Sequence, residues 1–444
     1  MGTLAPDKLG EILKSILDSK SRTLKTVAAA AIIPIIASAC GSGGSASSSS
    51  TSPSSSKAPS SITIGTLYAS SGSFSVSSLS EYNGLKFWIN QENKKGGAYV
   101  GAYKKRIPLK LVSYNDQSSA ATASTLYNQL ITQNKVNILV ADFGSVLTAP
   151  AVTIAQEHKM LLFDPSGSGA SFFTPSNKYL VLTSLPTSAV WPDPLAKFIL
   201  SKKISRVAIV YCSNDFDASQ AQTLTSQLKA GGVTPVYDQA VPTSTSSYGS
   251  IIQSISAKHP QAVLELGYNT NDIAFLQGIQ SEGVKFPMVF TAFPGQLHHV
   301  LEQNVGVKGL AYTYSYGFPP QLSFNNVNIG LGTKAFVAAY QSANPSGPVN
   351  FLNVAGYNTG LAIEAALKNA SSMNQLDLRN SLFAQSGKLN TLEGNFKLDP
   401  ATGAQLGELL PVSQLFPNSA GTNTKIEIVY PTSKATAQAK YPAP

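Results

Sequence analysis

From Ile62 onward, short β-branched and apolar runs alternate with stretches of helical spacing, and this alternation restricts the fold more than any other feature of the chain. Ile62-Thr63-Ile64-Gly65-Thr66-Leu67 has the composition of a strand. Leu79, Tyr82, Leu85 and Ile89 then share one face of a helix that stops at Lys94-Lys95-Gly96-Gly97, and Ser78 with Glu81 three residues on has the form of a capping box. The same spacing predicts strands over 109–114, 137–141 and 160–163, separated by helices over 120–133 and 149–157. After Pro186-Thr187-Ser188 the pattern restarts, with strands over 206–211, 234–238, 262–266 and 288–291 and helices over 218–230, 248–257 and 271–282. Strand-helix-strand order requires right-handed crossovers and a parallel sheet with helices on both faces. Two such sets predict an α/β chain of two doubly wound lobes.

Ligands of such sheets sit beyond the carboxyl ends of the strands, so the loops to inspect are 68–74, 115–118, 142–148, 164–168, 212–217, 267–271 and 292–295. They carry hydroxyls, small residues and the aromatics Tyr68, Phe74, Phe143, Phe216, Tyr268 and Phe293. Catalytic and cofactor signatures are missing from them. There is no Gly-x-Ser-x-Gly elbow and no phosphate loop, and Gly167-Ser168-Gly169-Ala170-Ser171-Phe172 fails the dinucleotide pattern at its last position. His158 and His259 stand alone and His298-His299 point in different directions, so no metal-ligand spacing is present. An apolar pocket with a few hydroxyls suits binding rather than catalysis, with no cofactor.

The N-terminal region speaks for export. Lys25, the apolar run Val27 to Ile36 and Ala37-Ser38-Ala39 form a secretory signal over residues 1–39. The run is shorter than the roughly 20 residues that span a bilayer, and Pro34 interrupts it. Cys40, directly after the small-residue triplet, resembles the cysteine of a bacterial lipobox, although Ala37 stands where leucine is usual. That resemblance implies a diacylglycerol on Cys40. The Ser/Gly/Pro tract up to Ser61 has too few apolar groups to offset its ordering entropy and reads as a flexible spacer over 40–61. Cys212 is then the one thiol left, a small residue at a strand end with no disulfide partner. The formal charge is +9, but the bases are scattered, with Lys104-Lys105-Arg106 their longest cluster. Nucleic-acid binding needs a concentrated basic stripe and is not indicated.

IGTLYASSGSF over Ile64 to Phe74 and EYNGLKFWINQENKKGGAYVG over Glu81 to Gly101 resemble the opening of the type 1 periplasmic solute-binding proteins, the Leu/Ile/Val-binding family that delivers ligands to ABC importers. LKLVSYNDQSS from Leu109, ILVADFGSVLTAP from Ile138, RVAIVYCSNDF from Arg206, AVLELGYNTNDIAFLQGIQSEG from Ala262 and VAGYNTGLAIEAAL from Val354 continue the resemblance, which covers 62–430. It implies three crossings between lobes, with the first lobe at about 62–185 and 314–393, the second at about 186–313 and 394–430, and a tail over 431–444. It also implies hinge closure around a ligand.

Carried over residue by residue, the resemblance puts Ser145 of Ser145-Val146-Leu147-Thr148, with nearby backbone amides, on a ligand carboxylate, and Ser166 and Ser168 on the ligand's carboxylate and amine. Phe216 replaces a tyrosine and Tyr268 matches a pocket aromatic; Tyr68, Phe74, Thr148 and Phe293 complete the expected site. The alternative for the three serines is capping and turn chemistry. One departure stands out. Amino-acid binders of the family carry an acid after the strand equivalent to 288–291, where this chain reads Ala292-Phe293-Pro294-Gly295. Either Asp215 or Asp272 replaces that acid or the ligand has no α-amine.

The function expected from sequence is therefore a monomeric, lipid-anchored receptor of an ABC permease, trapping a branched-chain or aromatic amino acid or a related carboxylate or amide. A sensor feeding a membrane signalling receptor uses the same fold. A surface hydrolase built on a cleft serine would need an activating base, which the loops do not supply. If Cys40 carries the lipid, Cys40→Ala should release the body from the membrane fraction or leave an unprocessed N-terminus. Mass spectrometry of the mature N-terminus checks this, and an unmodified start at another residue would refute it.

Overall fold

A computed structural model describes residues 57–324 and 326–444; Cys40, the signal and the spacer up to Ser56 lie outside the described residues. Strand β1 (Ile62–Tyr68) is followed by α1 (Ser75–Lys94), a hairpin of β2 (Ala98–Val100) and β3 (Lys105–Ile107), then β4 (Leu109–Asn115), α2 (Ala120–Thr132), β5 (Ile138–Val140), α3 (Gly144–His158), β6 (Leu162–Asp164) and β7 (Leu180–Leu182). Strands β4-β1-β5-β6-β7 form one parallel sheet in that order. Apolar side chains on both of its faces are buried, as a parallel sheet covered by helices requires.

The second set repeats the plan. It runs α4 (Asp193–Ser201), β8 (Val207–Cys212), α5 (Asp215–Ala230), β9 (Tyr237–Val241), α6 (Gly249–Ser256), β10 (Ala262–Leu266), α7 (Asn269–Glu282), β11 (Val289–Phe290), α8 (His298–Leu310) and β12 (Tyr314–Tyr316). These strands are parallel in the order β12-β11-β10-β8-β9. In both sheets the order reverses beside the first strand, which places a crevice at the carboxyl ends of β1 and β5 and of β8 and β10. The chain then adds α9 (Thr333–Ala343), α10 (Phe351–Asn369), α11 (Gln375–Phe383), a hairpin of β13 (Leu389–Thr391) and β14 (Gly394–Phe396), and the antiparallel strands β15 (Val412–Pro417) and β16 (Thr424–Tyr430).

Several local expectations change. The capping box is not formed: α1 starts a turn earlier, at Ser75, because Gly72 at φ +84° reverses the chain and its carbonyl accepts from Ser75 Oγ. Ser78, inside the helix, instead donates to Asp142 Oδ1 at 2.6 Å and accepts from Ala69 N at 2.7 Å. Helix α3 begins at Gly144, upstream of the expected 149, and carries Pro150 within it. Strand β9 lies three residues later than the spacing suggested.

The expected lobe boundaries are corrected by strand pairing. Tyr314 pairs with Phe290 and Gln414, so β12 belongs to the second sheet rather than to the returning first lobe. Leu392, Phe396 and Leu398 pack with Ile62, Ile64 and the α10 side chains, so the final crossing follows Leu398 instead of residue 393. The tail is also tied down: Lys440 O accepts from Tyr314 Oη at 2.7 Å and from Gln414 Nε2 at 3.0 Å.

Helices α1 and α10 cross in close contact through glycines. A Cβ on Gly356 would lie 1.9 Å from Glu81 O, and one on Gly84 would lie 2.1 Å from Asn353 O. Gly356→Ala must therefore push the helices apart and should lower stability by roughly 1–3 kcal/mol. Gly347, with nothing within 4 Å of an added Cβ, serves as the control. Urea melts should show a reduced midpoint for Gly356→Ala and an unchanged one for Gly347→Ala.

Candidate ligand-binding site

The loops at the carboxyl ends of the two sheets converge on one buried cavity. From the first lobe it is lined by Phe143, Gly144, Pro165, Ser166, Ser168 and Leu185, and from the second by Trp191, Phe216, Tyr268, Phe293 and Gln296. Phe351, the first residue of α10, closes one side. The free space is about 20 Å³, room for roughly one water. No charged side chain is found among the described residues that line it.

Tyr268 fills the centre. Its ring centroid lies 4.9 Å from that of Phe74, 5.5 Å from Phe216, 5.8 Å from Phe143 and 5.9 Å from Phe293. Gly144, at φ +73°, is where the ring passes closest: an added Cβ would lie 3.1 Å from Tyr268 Cε1. The phenol oxygen accepts from Ser145 N at 3.2 Å, a hydrogen bond from one lobe to the other. Burial pushes the phenol well above its ordinary pKa, so it stays protonated. Three more side-chain hydrogen bonds cross the cleft, one from Ser77 Oγ to Asn269 Oδ1 and two from Ser171, whose N and Oγ both donate to Asp215 Oδ2. Trp191 meets Phe216 edge-on at 5.1 Å, and its indole N–H donates to Pro186 O.

The expected site residues divide into two groups. Ser166, Ser168, Phe216, Tyr268 and Phe293 line the cavity. Phe74 stands behind Tyr268 as part of its packing. Tyr68 does not reach the cavity, because it stacks on Tyr82 at 4.8 Å against α1. The Thr148 hydroxyl is turned inward to donate to Asp142 O. The hydroxyl of Ser145 accepts from Gly169 N at 2.9 Å, so turn chemistry engages it while its backbone amide faces Tyr268. Ser166 Oγ likewise accepts from Gly144 N, whereas Ser168 Oγ is buried with no partner among the described residues.

Neither proposed replacement for the family acid reaches the cavity. Asp272 lies beneath it, where Oδ2 accepts from Phe293 N at 2.7 Å and holds that loop. Asp215 is engaged with Ser171. Sequence reasoning missed Trp191, Gln296 and Phe351. Trp191 follows Pro186-Thr187-Ser188, which read only as the restart of the pattern, and Phe351 opens a helix outside the inspected loops. That chain crossings flank a two-lobed cleft was the signal available for Trp191, while Phe351 carried none.

The model of the periplasmic binding protein family matches residues 61–414. Leu/Ile/Val-binding protein homolog 7 of Brucella melitensis is 21 % identical over 400 residues, 87 % of this chain and 95 % of that protein. The leucine-specific-binding protein of Salmonella typhimurium is 22 % identical over 322 residues, 72 % of this chain and 81 % of that one. Among solved structures, LivJ, a branched-chain amino acid transporter substrate-binding protein from Streptococcus pneumoniae in complex with isoleucine, superposes with a TM-score of 0.69 at 18 % identity, covering 84 % of this chain and all of that one (100 %). A solute-binding protein of an ABC transporter from R. palustris in complex with benzoate gives 0.70 at 15 %, covering 86 % and 99 %. These likenesses establish the fold.

The cavity loops rest on a layer of buried carboxyls. Asp164 Oδ1 accepts from Ser166 N and Gly167 N, and burial nevertheless lifts its pKa to about 7. The folded chain thus holds this proton more tightly than the unfolded chain does, and stability falls as pH rises from about 4 to about 7, by at most about 1.4 kcal/mol per pH unit for one group. Asp164→Asn copies the shape of the protonated acid. Urea melts between pH 4 and 8 should show a shallower loss for the variant than for the parent; equal slopes would mean that Asp164 does not titrate in this range.

Proposed function

The chain belongs to the periplasmic binding protein family, and from that premise we propose that it is an exported solute receptor of an ABC importer, capturing between its lobes a small aromatic or branched ligand with a carboxylate or amide head. The observation that carries the reading is the cavity: aromatic and aliphatic walls from both lobes, no charged side chain among its described lining residues, and a few polar groups to orient a ligand. A buried ammonium without an anionic partner costs several kcal/mol, which favours ligands lacking an α-amine. The isoleucine and benzoate of the structural neighbours fall within the same size range.

Capture requires motion. About 20 Å³ cannot hold such a ligand, so the lobes part and Tyr268 gives up its contact with Ser145 as the ligand enters. No histidine is among the described lining residues to activate a serine, which favours binding over turnover. Among the described residues no helix is long and apolar enough to cross a membrane. On this reading the lipid on Cys40 holds the receptor at the membrane beside its permease.

A thermal-shift screen of amino acids, aromatic and branched acids, amides, sugars and polyamines tests the proposal. A ligand at 100 times its Kd adds about 2.7 kcal/mol of stability, and the aromatic and branched acids or amides should give the largest shifts. Stabilisation by a sugar or a polyamine alone would overturn it.

A further inference from the structure

Two buried polar groups of the cavity have no partner among the described residues: Gln296 Nε2 and Ser168 Oγ, on residues only 3 % and 2 % exposed. Both line the same space. Leaving a buried donor unmatched costs about 1–3 kcal/mol, so two of them facing one apolar cavity mark where a ligand's acceptors belong. Their backbones are pinned although their side chains are free. Gln296 N donates to Phe293 O at 2.9 Å and its carbonyl accepts from Phe351 N at 3.2 Å, tying it to the loop after β11 and to the start of α10. Ser168 N donates to Ser166 O at 2.7 Å, and its carbonyl accepts from Ser188 N at 2.8 Å and Ser188 Oγ at 3.0 Å. Each side chain is therefore presented from a fixed base.

Gln296 occupies a second strategic position. It also lines an outer groove of about 450 Å³, which opens past Leu79, His299, Pro348 and Asn350. It is the one residue common to the linings of the groove and the inner cavity.

We propose that Gln296 is the head-group specificity determinant of this receptor: its side-chain N–H, beside the Ser168 hydroxyl that the family resemblance already assigns to the ligand, donates to a carboxylate or amide carbonyl and selects ligands without an α-ammonium. This rests on the small apolar solute reading above and deepens it. Both donors are neutral, and no anion among the described lining residues could pair with an ammonium. A site built around unmatched polar groups discriminates strongly against a ligand that cannot complete them.

Calorimetry with two matched pairs, 3-phenylpropionate against L-phenylalanine and 4-methylpentanoate against L-leucine, tests this, because the members of each pair differ only in the α-amine. The parent should bind at least one of the des-amino acids about ten-fold or more tightly than its amino acid. Gln296→Glu should reverse that ratio. Gln296→Met, of similar size but without the donor, and Ser168→Ala should each weaken the des-amino acid about ten-fold, with thermal melts confirming that the variants fold. If the parent binds neither pair, the selection proposed for Gln296 is overturned, and the small apolar solute reading falls with it only if no other aromatic or branched acid or amide of the thermal-shift screen stabilises the protein. If the parent binds a des-amino acid and Gln296→Met leaves its affinity unchanged, or if it prefers the amino acid, the solute reading stands and the assignment of Gln296 is overturned.

Discussion

Tyr268 is the side chain through which the two sheets meet. Its ring touches aromatic rings from both lobes, and its hydroxyl takes the amide proton of Ser145 across the cleft. Ring pairs of this kind contribute about 0.5–1.5 kcal/mol each beyond the area they bury, so several on one residue make a strong yet reversible latch. The rest of the site is arranged around it. Gly144 leaves room for the ring, Phe74 backs it, and Trp191 and Phe216 meet edge-on beside it. On the proposed reading, a ligand that enters replaces these contacts with its own apolar surface, as a ring or a branched chain would.

Beneath the aromatic layer lies a shell of carboxyls, one under each of three cavity loops. Asp142 Oδ1 accepts from Phe143 N, Asp164 Oδ1 from Ser166 N and Gly167 N, and Asp272 Oδ2 from Phe293 N. None of the salt bridges found among the described residues involves these acids. Burial raises all of their pKa values, and for Asp142 the neighbouring Asp116 raises it further. Glu393, lifted to about 8 by burial, joins Ser184 to Asn358 in the same way. The loops are thus positioned by acceptors one residue behind the cavity, while the cavity itself stays uncharged. The arrangement trades stability at higher pH for fixed loops.

Legibility followed the range of the forces involved. Strand β10 matched its expected span, because five consecutive buried residues mark a strand covered on both faces. The start of α1 did not, because Ser78 and Glu81 have local capping chemistry but Ser78 is claimed by Asp142, 64 residues away. Ser145 and Ser166 lie in loops at the carboxyl ends of the first sheet, yet their hydroxyls answer backbone amides at Gly169 and Gly144 rather than the cavity. Gln296 lies one residue beyond the 292–295 loop.

The amino-acid pattern alone determined the two α/β sets and most of the loops at their carboxyl ends, since apolar periodicity and strand-helix order are properties of neighbours in the chain. It also carried the family resemblance and the absence of an acid after β11. Only the tertiary structure decided which lobe holds β12 and the β13–β14 hairpin, which serine hydroxyl faces the cavity, and that Tyr268, Trp191, Gln296 and Phe351 share one space. Those outcomes depend on hydrogen bonds and packing between residues tens to hundreds of positions apart, where each polar group takes the partner that burial leaves available.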